Sequence, residues 1–359
     1  SLLSTQLIGS NGFEFDFNGV SNLYVYANKS SSANVNVAAG SGGNFFVAAA
    51  QGNYSYIADP LAGIYSELSG FGNTAVSGSG GSTYAYLYSG TGAQAKLQSS
   101  QTTFSTTDSA FTLSDFPQQY LIGASDGSDQ VTLDTDGGTF ISTPTFSYVN
   151  TTASGVNYLL GVLYGAHVTA QASTAGSDAA IFYSYPTDQF QGLINGASTL
   201  TGSANNSAGT AYQFSNQALG FSAVTVFASG SGTDSIALVS SGNGHFLETA
   251  TVAALSVGNQ TITVNTYTDN GSQKFMAVPV QLSVTGAGDD TDTAEIEDSA
   301  GDNLLTATGS TATLTNSRGS LSIDKFGSVT AEKQNGTADT LRESAIDFTL
   351  QTVGDWTTG

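Results

Sequence analysis

The densest concentration of reactive side chains lies between residues 288 and 303. Gly288-Asp289-Asp290-Thr291-Asp292-Thr293-Ala294-Glu295 is followed closely by Asp298-Ser299-Ala300-Gly301-Asp302-Asn303. Carboxylates at this density are hard oxygen ligands, and Ca2+ takes about six to eight such oxygens at about 2.3–2.6 Å. Asp289, Asp290, Asp292, Asp298 and Asp302 are therefore the candidate calcium ligands. A sparser cluster joins Gly127-Ser128-Asp129 to Asp134-Thr135-Asp136-Gly137-Gly138. The same residues also have a plain structural use. Asp in a Gly/Ser turn bonds nearby backbone and keeps the surface charged.

Little else could do chemistry. The chain has no Cys and 2 His, which removes thiolate metal sites, disulfides and Cys nucleophiles. His167 precedes a Val168 strand and His245 ends a Gly-Asn-Gly-His turn; neither has metal-ligand spacing or a partner Ser motif. No catalytic or cofactor-binding residue emerges, and the chain reads as a non-enzyme. A polysaccharide lyase needs cations to neutralise its acidic substrate, but Lys29, Lys96, Lys274, Arg318, Lys325, Lys333 and Arg342 are the only ones, mostly late in the chain. The net charge of −21 opposes phosphate backbones and anionic membrane surfaces. No apolar run approaches the ~18 residues of a membrane-spanning helix. Thr-x-Thr triplets at 261–263, 306–308 and 311–313 do not recur in one register, which argues against an ice-ordering face. Asn-x-Ser/Thr sequons begin at Asn28, Asn53, Asn150, Asn205, Asn259, Asn270 and Asn335.

The elements that must carry these residues are strands. Hydrophobic residues make up 39% and aromatics 10%, which is too rich for a disordered chain. Val, Thr, Tyr and Phe favour strands, while 43 Gly and many Ser and Asn supply turns. A strand, a Gly/Ser turn ending in a polar residue and a second strand recur along the chain. Taking Asn44, Thr83, Asp129, Asp178, Asp234, Asp292 and Asp339 as equivalent gives seven copies with a mean step of about 49 residues. Two rungs of about 24 residues, each of three short strands, fit this unit. The predicted fold is all-β, an elongated β-solenoid or right-handed parallel β-helix, with tandem β-sandwich modules as the alternative. Residues 21–345 form the repetitive body. Residues 1–20 read as an N-terminal strand suited to an inter-subunit contact, and 346–359 as a C-terminal strand and exit segment.

The acidic clusters resemble, loosely, the Gly-Gly-x-Gly-x-Asp nonapeptides of RTX β-roll proteins, which bind calcium between turns. The pattern at Val224–Leu238, Asp289–Thr308 and Val329–Leu341 is similar to the GTDxAxLxDSAGDD-type repeats of very long bacterial surface proteins. That resemblance implies an extracellular structural or adhesive role. The start at Ser1, not Met, predicts a mature or trimmed secreted chain. The expectation is an extracellular filament or sheath subunit assembling head-to-tail with copies of itself. It involves no nucleic acid and no membrane insertion. The alternatives are an S-layer component, or a calcium-dependent adhesin or glycan-binding module that meets surface glycans.

Overall fold

A computed structural model describes residues 4–8, 14–18, 22–27, 34–38, 45–49, 54–59, 64–78, 83–124, 127–165, 167–173, 178–185, 187–193, 197–221, 223–227, 235–239, 244–248, 264–269, 272–277, 281–288, 291–297, 302–316, 319–333 and 339–359. Within them every regular element is a β-strand. The chain divides into two compact units. One comprises Ser1–Asp178 and Ser203–Gln217, the other Ala179–Gly202 and Ala218–Gly359.

The first unit opens with β1 (Ser4–Ile8), β2 (Glu14–Asn18) and β3 (Asn22–Tyr26). Three five-strand repeats follow. They are β4 (Asn34–Ala38), β5 (Phe45–Ala49), β6 (Tyr54–Asp59), β7 (Ile64–Ser69) and β8 (Asn73–Ser77); then β9 (Tyr84–Tyr88), β10 (Gln94–Leu97), β11 (Thr102–Ser105), β12 (Ala110–Ser114) and β13 (Gln118–Ile122); then β14 (Gln130–Asp134), β15 (Thr139–Ser142), β16 (Phe146–Ala153), β17 (Val156–Leu163) and β18 (His167–Gln171). Sheet I runs β2-β1-β4-β8-β12-β11-β10-β14-β18. Sheet II runs β3-β7-β6-β5-β9-β13-β17-β16-β15. Each repeat lays one strand in one sheet, a three-stranded antiparallel meander in the other, and one strand back in the first. The step into the next repeat crosses once more. With an odd number of crossings per repeat, consecutive repeats begin in opposite sheets: β4 and β14 in sheet I, β9 in sheet II.

The same grammar recurs in β19 (Ala179–Tyr183), β20 (Gln189–Leu193), β21 (Ala197–Asn205), β22 (Ala211–Leu219), β23 (Ala223–Phe227), β24 (Ser235–Val239), β25 (Gly244–Glu248), β26 (Val264–Asp269), β27 (Ser272–Ala277) and β28 (Gln281–Thr285), which belong to the second unit except for β21 from Ser203 on and β22 up to Gln217. It continues with β29 (Thr293–Glu297), β30 (Leu304–Gly309), β31 (Thr311–Asn316), β32 (Gly319–Asp324), β33 (Ser328–Glu332), β34 (Thr340–Ile346), β35 (Thr349–Val353) and β36 (Thr357–Thr358). Sheet III is β19-β23-β27-β26-β25-β29-β33-β35. Sheet IV is β21-β20-β24-β28-β32-β31-β30-β34-β36.

The strands form because apolar residues alternate with polar ones, and the buried face follows that period. Val131 and Leu133 of β14 point inward while Gln130 and Thr132 do not. The inner faces of the two sheets in a unit meet. Phe46 of β5 packs on Phe111 of β12 with ring centroids 6.4 Å apart, and Phe182 of β19 on Phe190 of β20 at 5.2 Å. Each buried Phe contributes about 1.5–3 kcal/mol relative to exposure.

The expected unit of about 49 residues thus appears as five strands. Thr83, Asp129, Asp178, Asp292 and Asp339 stand directly before β9, β14, β19, β29 and β34. Asp234 lies outside the described residues, as does Asn44, which directly precedes β5, the second strand of its repeat. The pairing is mixed, not all-parallel, and the expected rung of three strands is replaced by single strands alternating with meanders. Ser/Gly-rich turns short enough to reverse a strand within one sheet produce those meanders.

At two junctions between neighbouring repeats there is no room for a side chain. The amide of Gly123 donates to the Leu163 carbonyl at 2.7 Å, and that of Gly286 to the Asp324 carbonyl at 2.8 Å. In each case the next residue of the neighbouring repeat is left-handed, Tyr164 at φ 57° and Lys325 at φ 59°. Its carbonyl oxygen turns onto the glycine, where a Cβ would lie 2.4 Å from Tyr164 O or 2.3 Å from Lys325 O. Gly123→Ala and Gly286→Ala are each expected to lower unfolding free energy by about 1–3 kcal/mol in urea titrations. An unchanged midpoint would refute the close approach.

Candidate functional site: buried aspartates, a carboxylate cluster and an aromatic face

Of the five candidate calcium ligands, Asp289, Asp290 and Asp298 lie outside the described residues. Asp302 is exposed. Asp292 is 0% exposed, and its Oδ2 accepts the Ala287 amide at 2.6 Å. Its carbonyl also receives the Gly327 and Ser328 amides at 3.0 and 3.3 Å. Asp129 makes the same five-residue reach to the Ala124 amide at 2.6 Å, and accepts the Ser89 hydroxyl at 2.9 Å. Asp178 accepts the Ser173 amide at 2.9 Å and, on its other oxygen, the Thr135 hydroxyl at 2.6 Å. Asp339 receives the Asn303 amide at 3.0 Å and side-chain amide at 2.9 Å, with Lys333 Nζ at 3.5 Å. Thr83 holds the position by donating to the Asp115 carbonyl at 3.0 Å. The recurring residue is therefore a buried staple. At Asp129 and Asp178 it closes its own loop and ties a donor about 40 residues upstream. Charge-assisted bonds to N–H and O–H donors make such burial favourable.

Another set of carboxylates does converge. Glu295, Glu297 and Glu332 lie on the outer face of sheet III, with ligand oxygens all within 4.8 Å of one another. Glu297 of β29 pairs directly with Glu332 of β33, and Glu295 with Thr330. Three such oxygens form part of a hard-cation shell that water would complete. Sequence reasoning missed this cluster. Its signal was Glu-x-Glu in one strand and a Glu at the matching register of the next repeat, legible only once the pairing is known.

The outer faces of the first unit differ from each other. On sheet I one row reads Asn36, Ala75, Thr112, Thr103, Lys96, Thr132 and Thr169. A shallow depression there, lined by residues such as Asn36, Asn73 and Thr112, contains no titratable side chain. On sheet II the matching row reads Tyr24, Glu67, Tyr56, Val47, Tyr86, Tyr120, Gly161 and Tyr148. Most of the chain's 16 tyrosines stand on this face, and Glu67 is its one charged side chain among the described residues. Tyr86 stacks on Tyr120 at 5.5 Å and Tyr56 on Tyr65 at 5.4 Å. At Gly161 a Cβ would meet Phe146 Cε2 at 3.0 Å and Tyr120 Cδ1 at 3.1 Å, so both rings lean over the glycine. Burial raises the phenol pKa of Tyr56 and Tyr120. Tyr65 is pushed up from 10.0 to about 12, first by desolvation, then by its hydrogen bond to Glu67. That bond is 3.2 Å long.

Compared with protein-family models, characterised proteins and solved structures, the chain matches none.

Asp292→Ala strands the Ala287 amide and is expected to cost about 2–4 kcal/mol, read by chemical denaturation; a cost near zero would reduce the staple to ornament. Alkali tests Tyr65. Below about pH 10 both chain states keep the phenol neutral. From there to about 12 the unfolded chain sheds the proton and the folded chain retains it, so stability falls as pH rises. Tyr65→Phe should make the decline in melting temperature across this window shallower.

Proposed function

We propose that the chain is an extracellular structural subunit that polymerises end to end, as a filament or sheath, through its open sheet edges. On this reading the repeats stack as an elongated β-solenoid, and further copies add strands to the open edges. The observation that carries it is the state of the outermost strands. Among the described residues β2 pairs only with β1, β3 only with β7, β35 only with β33 and β36 only with β34. Unpaired strand edges are templates for another chain. β1 pairs with both β2 and β4 of its own chain, which gives the outer role to β2 and β3. Two unlike edges make a heterologous contact, and such a contact propagates unless it closes a ring. The composition supports a secreted location: no Cys, few cations and a solubilising charge of −21. The reading assigns no reaction to the chain.

The geometry of β35 supplies a clean test. Thr349 donates its amide inward, to Gly327 O at 3.0 Å. Successive amides point to opposite edges of a strand, so those of Leu350 and Thr352 face the open side. Thr352→Pro removes an outward donor and spares the β33–β35 ladder, since edge positions tolerate Pro. Wild-type protein should form filaments in negative stain. The variant should stay short with an unchanged circular dichroism spectrum; filaments of normal length in Thr352→Pro would reject this edge as the joint.

A further inference from the structure

We propose that the aromatic outer face of sheet II is a homophilic docking surface, which pairs with the same face of a second copy. The inference stands on the first unit alone and does not depend on end-to-end growth.

Charge is the first argument. Each chain carries −21, so two copies repel wherever carboxylates meet. The sheet II face offers Glu67 alone among its described side chains, and that carboxylate already accepts the Tyr65 hydroxyl. A broad, nearly charge-free surface on so acidic a molecule is where like copies meet at least cost. Depletion of charge with enrichment of Tyr and Phe is also the signature of an interface centre.

Area is the second argument. Sheet II has nine strands, and β9 at its centre has five residues. At ~4.8 Å between strands and ~3.4 Å per residue the face measures roughly 43 by 17 Å, about 700 Å2. Two such faces cover about 1,400 Å2, within the range of about 1,200–2,000 Å2 for stable specific complexes. Exposed apolar patches above a few hundred Å2 are uncommon on monomers and mark contact sites. The face is not used up by internal packing: Tyr24 is 55% exposed, Tyr26 68% and Tyr88 44%. An isologous contact needs a self-complementary patch. Rows of rings separated by small residues such as Gly161 provide ridges and hollows that can interdigitate, as facing sheets do at ~10 Å.

The test uses the full chain in the Thr352→Pro background, so that blocked ends separate this pairing from longitudinal growth. Sedimentation velocity at micromolar concentration and about 0.15 M salt should give a closed dimer of twice 36.5 kDa. Tyr54→Lys combined with Tyr88→Lys should return it to monomer with an unchanged circular dichroism spectrum. Because the chain has no Cys, Tyr88→Cys on central β9 should oxidise to a disulfide-linked dimer, whereas Thr112→Cys on sheet I should not. A monomer at all concentrations would overturn the proposal. So would a dimer that survives both lysines, or equal cross-linking from Thr112→Cys. Capture of the monomer by a neutral polysaccharide, abolished by the same lysines, would assign the face to glycan instead.

Discussion

A chain that leaves one sheet for the other must bring its backbone through the edge of a dry core. The amides there have no ladder partner, and each one left unsatisfied costs about 1–3 kcal/mol. The structure answers with one residue used repeatedly. A carboxylate just before the opening strand of the repeat turns inward and takes the amide five residues back at Asp129, Asp178 and Asp292. At Asp129 and Asp178 it also holds a hydroxyl from an earlier repeat. The register of each meander depends on that fixed point, because a one-residue slip would invert every side chain after it. The glycines at 123 and 286 impose the complementary constraint: two backbones approach so closely that only hydrogen fits. At Gly286 the two meet in one joint, where the glycine approaches Lys325 O while Asp292 holds the Ala287 amide.

This joint relates the acidic composition to the fold without invoking a ligand for every Asp. Asp129, Asp178, Asp292 and Asp339 are almost wholly buried and contribute little to the surface. The exposed acids, by contrast, are unevenly spread. Outward-facing carboxylates gather at the half-buried Glu295, Glu297 and Glu332 in the second unit and almost vanish from the outer face of sheet II in the first. Distribution, more than net charge, then decides what each face can meet.

The sequence made the β content, the length of the repeat and the position of its buried polar residue legible. Period-2 alternation and a Gly/Ser turn ending in Asp are local signals, and each survives divergence of its neighbours. Asn44 shows the limit: a turn followed by an apolar strand looked like the same joint, yet β4 begins the repeat ten residues earlier. The meanders were not legible because a strand that reverses within its sheet and one that crosses to the other have the same alternation; only turn length separates them. Carboxylate density between residues 289 and 302 marks Asp292 as an oxygen ligand but does not say which way it points, and its Oδ2 accepts the Ala287 amide. The tyrosine face was hidden for a related reason. Tyr24, Tyr56, Tyr86, Tyr120 and Tyr148 are dispersed over more than a hundred residues, and only the strand register assembles them into one row.

Odd crossing numbers give this arrangement a property that a three-sided coil lacks. In a coil with one strand per side, equivalent positions of every repeat fall on one side, and any surface property repeats at every rung. Here equivalent positions alternate between sheets, so a uniform repeat would give both faces the same chemistry. The first unit has faces of opposite character instead. The row of sheet II holds Tyr86 from the second repeat and Tyr148 from the third, each at a different place within its repeat. The aromatic face therefore does not follow from duplicating one motif. Successive repeats acquired their tyrosines at non-equivalent positions that share only the outward side of sheet II. Repeat divergence, which weakens the sequence signal, is thus what allows one face of the unit to carry rows of tyrosine while the other carries Asn, Thr and Lys.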